Sequence, residues 1–280
     1  PGVRPIAREA QNAYWMKARS RIERRIAFRM RMAYLLARGL YASADSLMRG
    51  GESNGVPRDE LDRWLVLSAI SALPDLGEGP AIIRAVNRLQ SVEADRAEAL
   101  WLIARWLINT DRESAIPIIN ELNELATNET TRTPLVRSLV MDLEARRYLA
   151  EGDTLAALST WETATSRHSI DQLVFGLTAS LWQLRLSWAT IAHVTGELET
   201  ALRVAGSFDR MAGVMDQVAW PEILRIKAEA ALSANDFGLA RRTYEELAVV
   251  LENANGAGSL LKEQVEWALA GLDGAGSQQR

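Results

Sequence analysis

Six turn markers, Gly39, Gly77, Thr110, Gly152, Gly196 and Asn235, recur along a chain of 280 residues at spacings of 38, 33, 42, 44 and 39. The clearest copy is Val140–Thr163, where Glu151-Gly152-Asp153 separates two stretches with helical apolar spacing. Neither helix of such a pair can bury its stripe alone, so the pair must pack on itself and on its neighbours. A helix-turn-helix period of roughly 34–45 residues is the signature of a stacked array. The turn chemistry agrees. Gly or Asn accepts the left-handed conformation that ends a helix, and an acidic residue near the next helix start complements its N-terminus. The expected fold is all-α, an α-solenoid of about six helix-turn-helix repeats.

The helices flanking that pair follow from composition. Residues from Pro5 to about Ala37 form one long helix, or two joined near Ser20, with Ile22, Ile26, Met30, Ala33 and Ala37 on one face. Tyr41–Met48 is a short helix, and Gly50–Pro57 is a loop. Pro57, Pro80 and Pro134 each suit a first helical turn, where a missing N–H costs nothing. Glu93 to Ile108 and Arg112 to Ala126 make another pair, with Pro117 forcing a late start or a kink in the second. Asp171 to Val194 is the longest apolar element. Its Thr, Ser, Gln, Arg and His residues are too many for a membrane span, so it reads as a central core helix. Val218–Ala234 and Phe237–Ala254 are the last clear pair, and Ser259 to Leu272 closes the array. The domain reading is therefore a basic N-terminal helix with a first helical pair over 1–49, repeats over 50–272, and a disordered tail over 273–280.

Three segments, Gly152–Ala164, Gly196–Phe208 and Asn235–Leu251, resemble the second halves of tetratricopeptide repeats, in which a turn residue precedes an Ala-rich helix with an A-x-x-x-[YWF] step. Ala157-Trp161 and Ala240-Tyr244 match that step, whereas Ala201 is followed by Ala205. Residues 140–255 look like the C-terminal repeat regions of large bacterial signalling proteins. The resemblance implies a non-enzymatic scaffold or sensor that binds a protein or peptide partner in a groove.

Charge divides the chain. Residues 1–49 carry eleven Lys/Arg against three Asp/Glu, and the remainder twenty-one against thirty-three. The Arg-rich head either packs on the acidic body or meets phosphate, anionic lipid or an acidic protein face. Arg21, Arg24 and Arg31 are its candidate contacts. Nothing supplies base readout, which argues against nucleic acid, while peripheral membrane contact stays open. The alternative function is that of a structural subunit docked through this helix. Two step-related pairs, Trp101 with Arg105 and Trp182 with Arg185, are candidate groove anchors or, alternatively, inter-helix packing.

Catalytic, cofactor and metal chemistry have little raw material. Cysteine is absent, only His168 and His193 carry imidazole, and no glycine-rich phosphate cradle occurs. Paired carboxylates such as Glu245-Glu246 suit solvated faces. The expectation is no catalytic residue, no metal and no cofactor. The chain begins at Pro1 without a signal-like apolar run, which reads as a processed product or a fragment and as cytoplasmic placement.

Overall fold

The computed structural model describes residues 15–71, 78–129, 133–166, 180–208 and 216–277. Among them the regular structure is helical, apart from one isolated bridge between Leu40 and Asn255. The chain divides into two compact units, one of residues 51–188 and one joining residues 1–50 to 189–280.

Residues 51–188 hold α3 (Arg58–Ile70), α4 (Gly79–Leu89), α5 (Arg96–Thr110), α6 (Arg112–Thr127), α7 (Pro134–Ala150), α8 (Thr154–Ser166) and the first part of α9 (Ser180–Val194). The helices pair as α3 with α4, α5 with α6 and α7 with α8. Each pair also packs on the next, with α5 touching both α3 and α7. The helix starts follow from their caps. The Thr133 hydroxyl accepts the Val136 N–H at 3.2 Å, with Pro134 in the first turn, and Asp153 accepts the Ala156 N–H at 3.0 Å. Pro117 neither delays nor ends α6, which starts at Arg112 and runs through it. At Asp62, Arg88 and Arg58 from α4 and α3 converge on one buried carboxylate, at 2.6 Å and 3.3 Å.

The other unit holds α1 (Arg21–Ala37), α2 (Tyr41–Arg49), the end of α9, α10 (Leu198–Phe208), a short 3₁₀ turn (Asp216–Ala219), α11 (Trp220–Ser233), α12 (Phe237–Val250) and α13 (Ala257–Ser277). Here α11 packs between α10 and α12, α12 packs on α13, and α1 lies against the 3₁₀ turn and α11. Ser20 and Glu23 form a reciprocal capping box, so the helix breaks at Ser20 and does not run unbroken from Pro5. Residues 5–14 of that expected helix lie outside the described residues. The buried face of α1 centres on Phe28, Met32 and Leu36, with Ala33 and Ala37 beside it. Ile22 is 71% exposed, so the face is rotated from the one its spacing suggests. Helix α13 does not stop at Leu272 but runs to Ser277, so residues 273–277 are helical where a disordered tail was expected; residues 278–280 lie outside the described residues.

Four of the six turn markers do the same backbone work. At Gly39, Gly152, Gly196 and Asn235 φ is 64°, 83°, 83° and 59°. The marker N–H reaches back three residues and the next N–H reaches back five, as in Gly152 to Leu149 (3.0 Å) and Asp153 to Tyr148 (2.9 Å). This is the Schellman arrangement, and it satisfies carbonyls that the helix end would otherwise leave open. Gly77 lies outside the described residues, and Thr110 ends α5 without a left-handed residue.

Gly39 has a second task. Asn255 donates its backbone N–H to the Gly39 carbonyl (3.1 Å), its side-chain oxygen accepts the Ala42 N–H (2.9 Å), and its amide donates to Ser43 Oγ (3.1 Å). A Cβ on Gly258 would fall 2.1 Å from the Gly39 carbonyl oxygen, so backbone meets backbone there. This clasp fixes residues 39–43 to the start of α13 across more than 210 positions of sequence.

The clasp makes a measurable prediction. Asn255→Ala removes a cap from α2 and is expected to cost about 1 kcal/mol in urea unfolding. Gly258→Ala must separate two backbones and is expected to cost more. Losses for both within about 0.5 kcal/mol, the usual range for surface changes, would contradict the clasp.

Candidate functional site

The polar interior of residues 51–188 centres on Asp142 in α7, which is fully buried. Trp161 Nε1 donates to its Oδ1 at 2.8 Å, and Trp101 Nε1 donates to Oδ2 at 2.9 Å. Arg146 Nε donates to Oδ2 at 3.2 Å, and Arg105 Nε lies 3.7 Å away. The guanidiniums also lie over the same indoles, Arg105 at 5.0 Å from the Trp101 ring centre and Arg146 at 5.8 Å from that of Trp161. Burial pushes the Asp142 carboxyl up. Arg146, Arg105 and the two indole donors outweigh it and hold the group below its ordinary value. Burial, and then Arg146, pull the Arg105 guanidinium down to about 9, with Asp142 acting the other way.

Links of this kind recur along the unit. Arg63 in α3 meets Glu98 in α5 at 3.2 Å and the Ala94 carbonyl at 2.5 Å. Arg105 in α5 reaches back to the Ile70 carbonyl at 3.0 Å, and Arg146 in α7 donates to Ser187 Oγ in α9 at 2.8 Å. The Trp101–Asp142 and Arg146–Ser187 bonds each span 41 residues, and the Arg63–Glu98 and Arg105–Ile70 bonds each span 35.

Trp101, Arg105, Trp182 and Arg185 are therefore interior residues and not groove anchors; all four are buried. The physical reason is that a helix flanked by packed helices on several sides buries its flanks as well as its stripe. Helix α5 is buried from Glu98 to Arg105, and α9 from Trp182 to Ala189. The burial expected of α9 is seen over those residues; residues 171–179 lie outside the described set. In α1 the basic row is partly folded inward. Arg24 and Arg31 lie over the buried Trp15 ring, 6.0 Å and 5.6 Å from its centre, while Arg21 is exposed. His193 Nε2 sits 3.1 Å from Glu229 in α11, and Arg225 holds Glu222 and Glu229 on either side. His168 lies outside the described residues.

The surface feature that sequence reasoning missed is a groove of 940 Å³ bounded by α11, α12 and α13. Leu232, Phe237, Leu260 and Trp267 line it and stand in solvent, with Trp267 82% exposed, Leu260 62% and Phe237 48%. The signal in sequence was Leu260 and Trp267, seven residues apart and so on one side of α13, with Gln264 between them and Gly271 one turn further on. Exposed Glu263 sits in the lining and exposed Glu266 beside it, while the groove's one arginine, Arg225, is already engaged.

Among the described residues, no cluster of three or more His, Cys, Asp or Glu groups is placed to hold a metal ion. Among them, too, no helix is long and apolar enough to cross a membrane. No family model, curated protein or solved structure matches the chain.

Asp142→Asn removes the negative charge from the buried Arg105 and the partly buried Arg146 and is expected to cost about 3–5 kcal/mol in urea unfolding at neutral pH. Because the folded carboxyl is held below 3.8, its stabilisation is present above that pH and is lost as pH falls through the folded value. The gap between the protein and Asp142→Asn should therefore narrow in acid. A gap independent of pH would contradict a charged Asp142.

Proposed function

We propose that this is a non-enzymatic helical-repeat protein, an α-solenoid of tetratricopeptide-like pairs, that binds a segment of another protein. The observation that carries this reading is the groove against α13, where an exposed Trp, an exposed Phe and two Leu side chains share one concavity. Exposed aromatic anchors in a recess are the usual centre of a protein interface. The expected occupant is a short peptide segment with bulky apolar side chains and a Lys or Arg, because the rim offers Glu263 and Glu266 while Arg225 is neutralised within the protein. The turn and A-x-x-x-[YWF] resemblance to repeat regions of bacterial signalling proteins supports a scaffold or sensor role within such a protein. The alternative, a structural subunit docked through its Arg-rich N-terminal helix, is favoured only by exposed Met16 and Ile22 beside Lys17, Arg19 and Arg21.

Selection of displayed random peptides on the whole chain tests the reading. The enriched peptides should share apolar anchors with a basic residue and bind at least about tenfold more weakly to Trp267→Ala, as expected of a hot-spot anchor. Trp267 is exposed, so the variant should fold normally. Enrichment of no peptide that depends on Trp267 would contradict this function.

A further inference from the structure

A second cavity, of 460 Å³, opens between α5, α6 and α7 in residues 51–188, well away in sequence from the α13 groove. Its size falls in the range of roughly 300–1,000 Å³ that holds small-molecule ligands. Ile108, Ile116, Ile119, Val140 and Leu143 give it apolar walls, and Arg146 enters that wall from the Asp142 cluster.

The charge behind the wall is unbalanced. Arg105 and Arg146 share the single carboxylate of Asp142, and Arg105 Nη1 is buried without a hydrogen-bond partner. Arg146 is fixed by three contacts: Nε on Asp142, Nη2 on Ser187 Oγ, and the Trp161 ring. Its side chain remains 21% exposed, and no hydrogen bond engages Nη1 among the described residues. At the rim, Arg147 is bound to Glu151 at 2.8 Å, and exposed Glu144 stands one turn away. Exposed Arg112 lines the same mouth. A surplus cation held rigidly at the edge of an apolar recess is complementary to a ligand with one anionic end and an apolar body.

We propose that this cavity binds a small amphipathic carboxylate, its acid group on Arg146 and Arg112 and its apolar body against Ile116, Ile119 and Val140. The carboxylate supplies the negative charge that Arg105 and Arg146 together lack. It also accepts from a guanidinium that needs no reorganisation on binding, because Asp142 and Ser187 already hold it.

Calorimetric titration of the full chain with sodium decanoate, below its micellar range, tests this. Decanoate should bind saturably at one site per chain, and decyltrimethylammonium should not. Ile116→Glu places a carboxylate on the exposed wall that meets the apolar body and should weaken decanoate at least about tenfold, because the charge would have to be desolvated against the chain. Arg112→Glu should also weaken it, by a factor of several. Trp267→Ala should leave it unchanged, which separates this site from the α13 groove. Absence of saturable binding, equal binding of the cation, or a loss seen with Trp267→Ala and not with Ile116→Glu would each overturn the proposal.

Discussion

A carboxylate sealed from water is costly unless its charge and lone pairs are met, and the interior of residues 51–188 is arranged around meeting that need at Asp142. Two indole N–H groups and one guanidinium donate to it, and a second guanidinium stands close by. The donors come from α5, α7 and α8, so the helices must hold one register for all contacts to form together. An apolar core would tolerate sliding of one helix past another. A buried carboxylate does not, since a slip of one turn of α8 takes away the Trp161 donor and a slip of α5 takes away both Trp101 and Arg105, leaving Asp142 with Arg146 of its own helix alone. The Arg63–Glu98 and Arg146–Ser187 contacts extend the same constraint to α3 and α9.

The unit that joins residues 1–50 to 189–280 is held by a different device, close backbone approach. Gly39, Gly258 and Asn255 let the turn after α1 touch the start of α13 directly. The Arg-rich N-terminal helix is thus built into a folded unit, with Trp15 lying under two of its arginines. That placement changes what the charge asymmetry of the sequence means. Part of the positive charge lies against an aromatic ring inside the protein, while among the described residues Lys17, Arg19 and Arg21 present it outward.

The turn chemistry was legible in sequence because a left-handed residue is a local demand. Gly39, Gly152, Gly196 and Asn235 all meet it, and Ala157-Trp161, Ala201-Ala205 and Ala240-Tyr244 all pack in the core. The all-helical architecture and its pairing followed from these positions and from apolar spacing. The location of the α13 groove was not legible, because Trp and Arg have the same letters in a core as in a groove. Trp101 and Trp182 are buried because their helices are surrounded, whereas Trp267 is exposed because its side of α13 is left uncovered by the described helices. How many neighbours a helix has is a tertiary fact that periodicity does not carry. The same limit explains α1, where Ile22 fits the apolar stripe by spacing yet lies 71% exposed, before the buried part of the helix begins at Ala27.

The most direct test of this separation between buried and exposed tryptophans is hydrogen exchange of the indole N–H groups, read by nuclear magnetic resonance on protein labelled at tryptophan nitrogen. Trp101 and Trp161 donate to Asp142 inside the protein, so their indole protons should exchange only when residues 51–188 open. Trp267 should exchange at the rate of a free indole. Rapid exchange at Trp101 and Trp161, or protection at Trp267 in the isolated chain, would contradict the account.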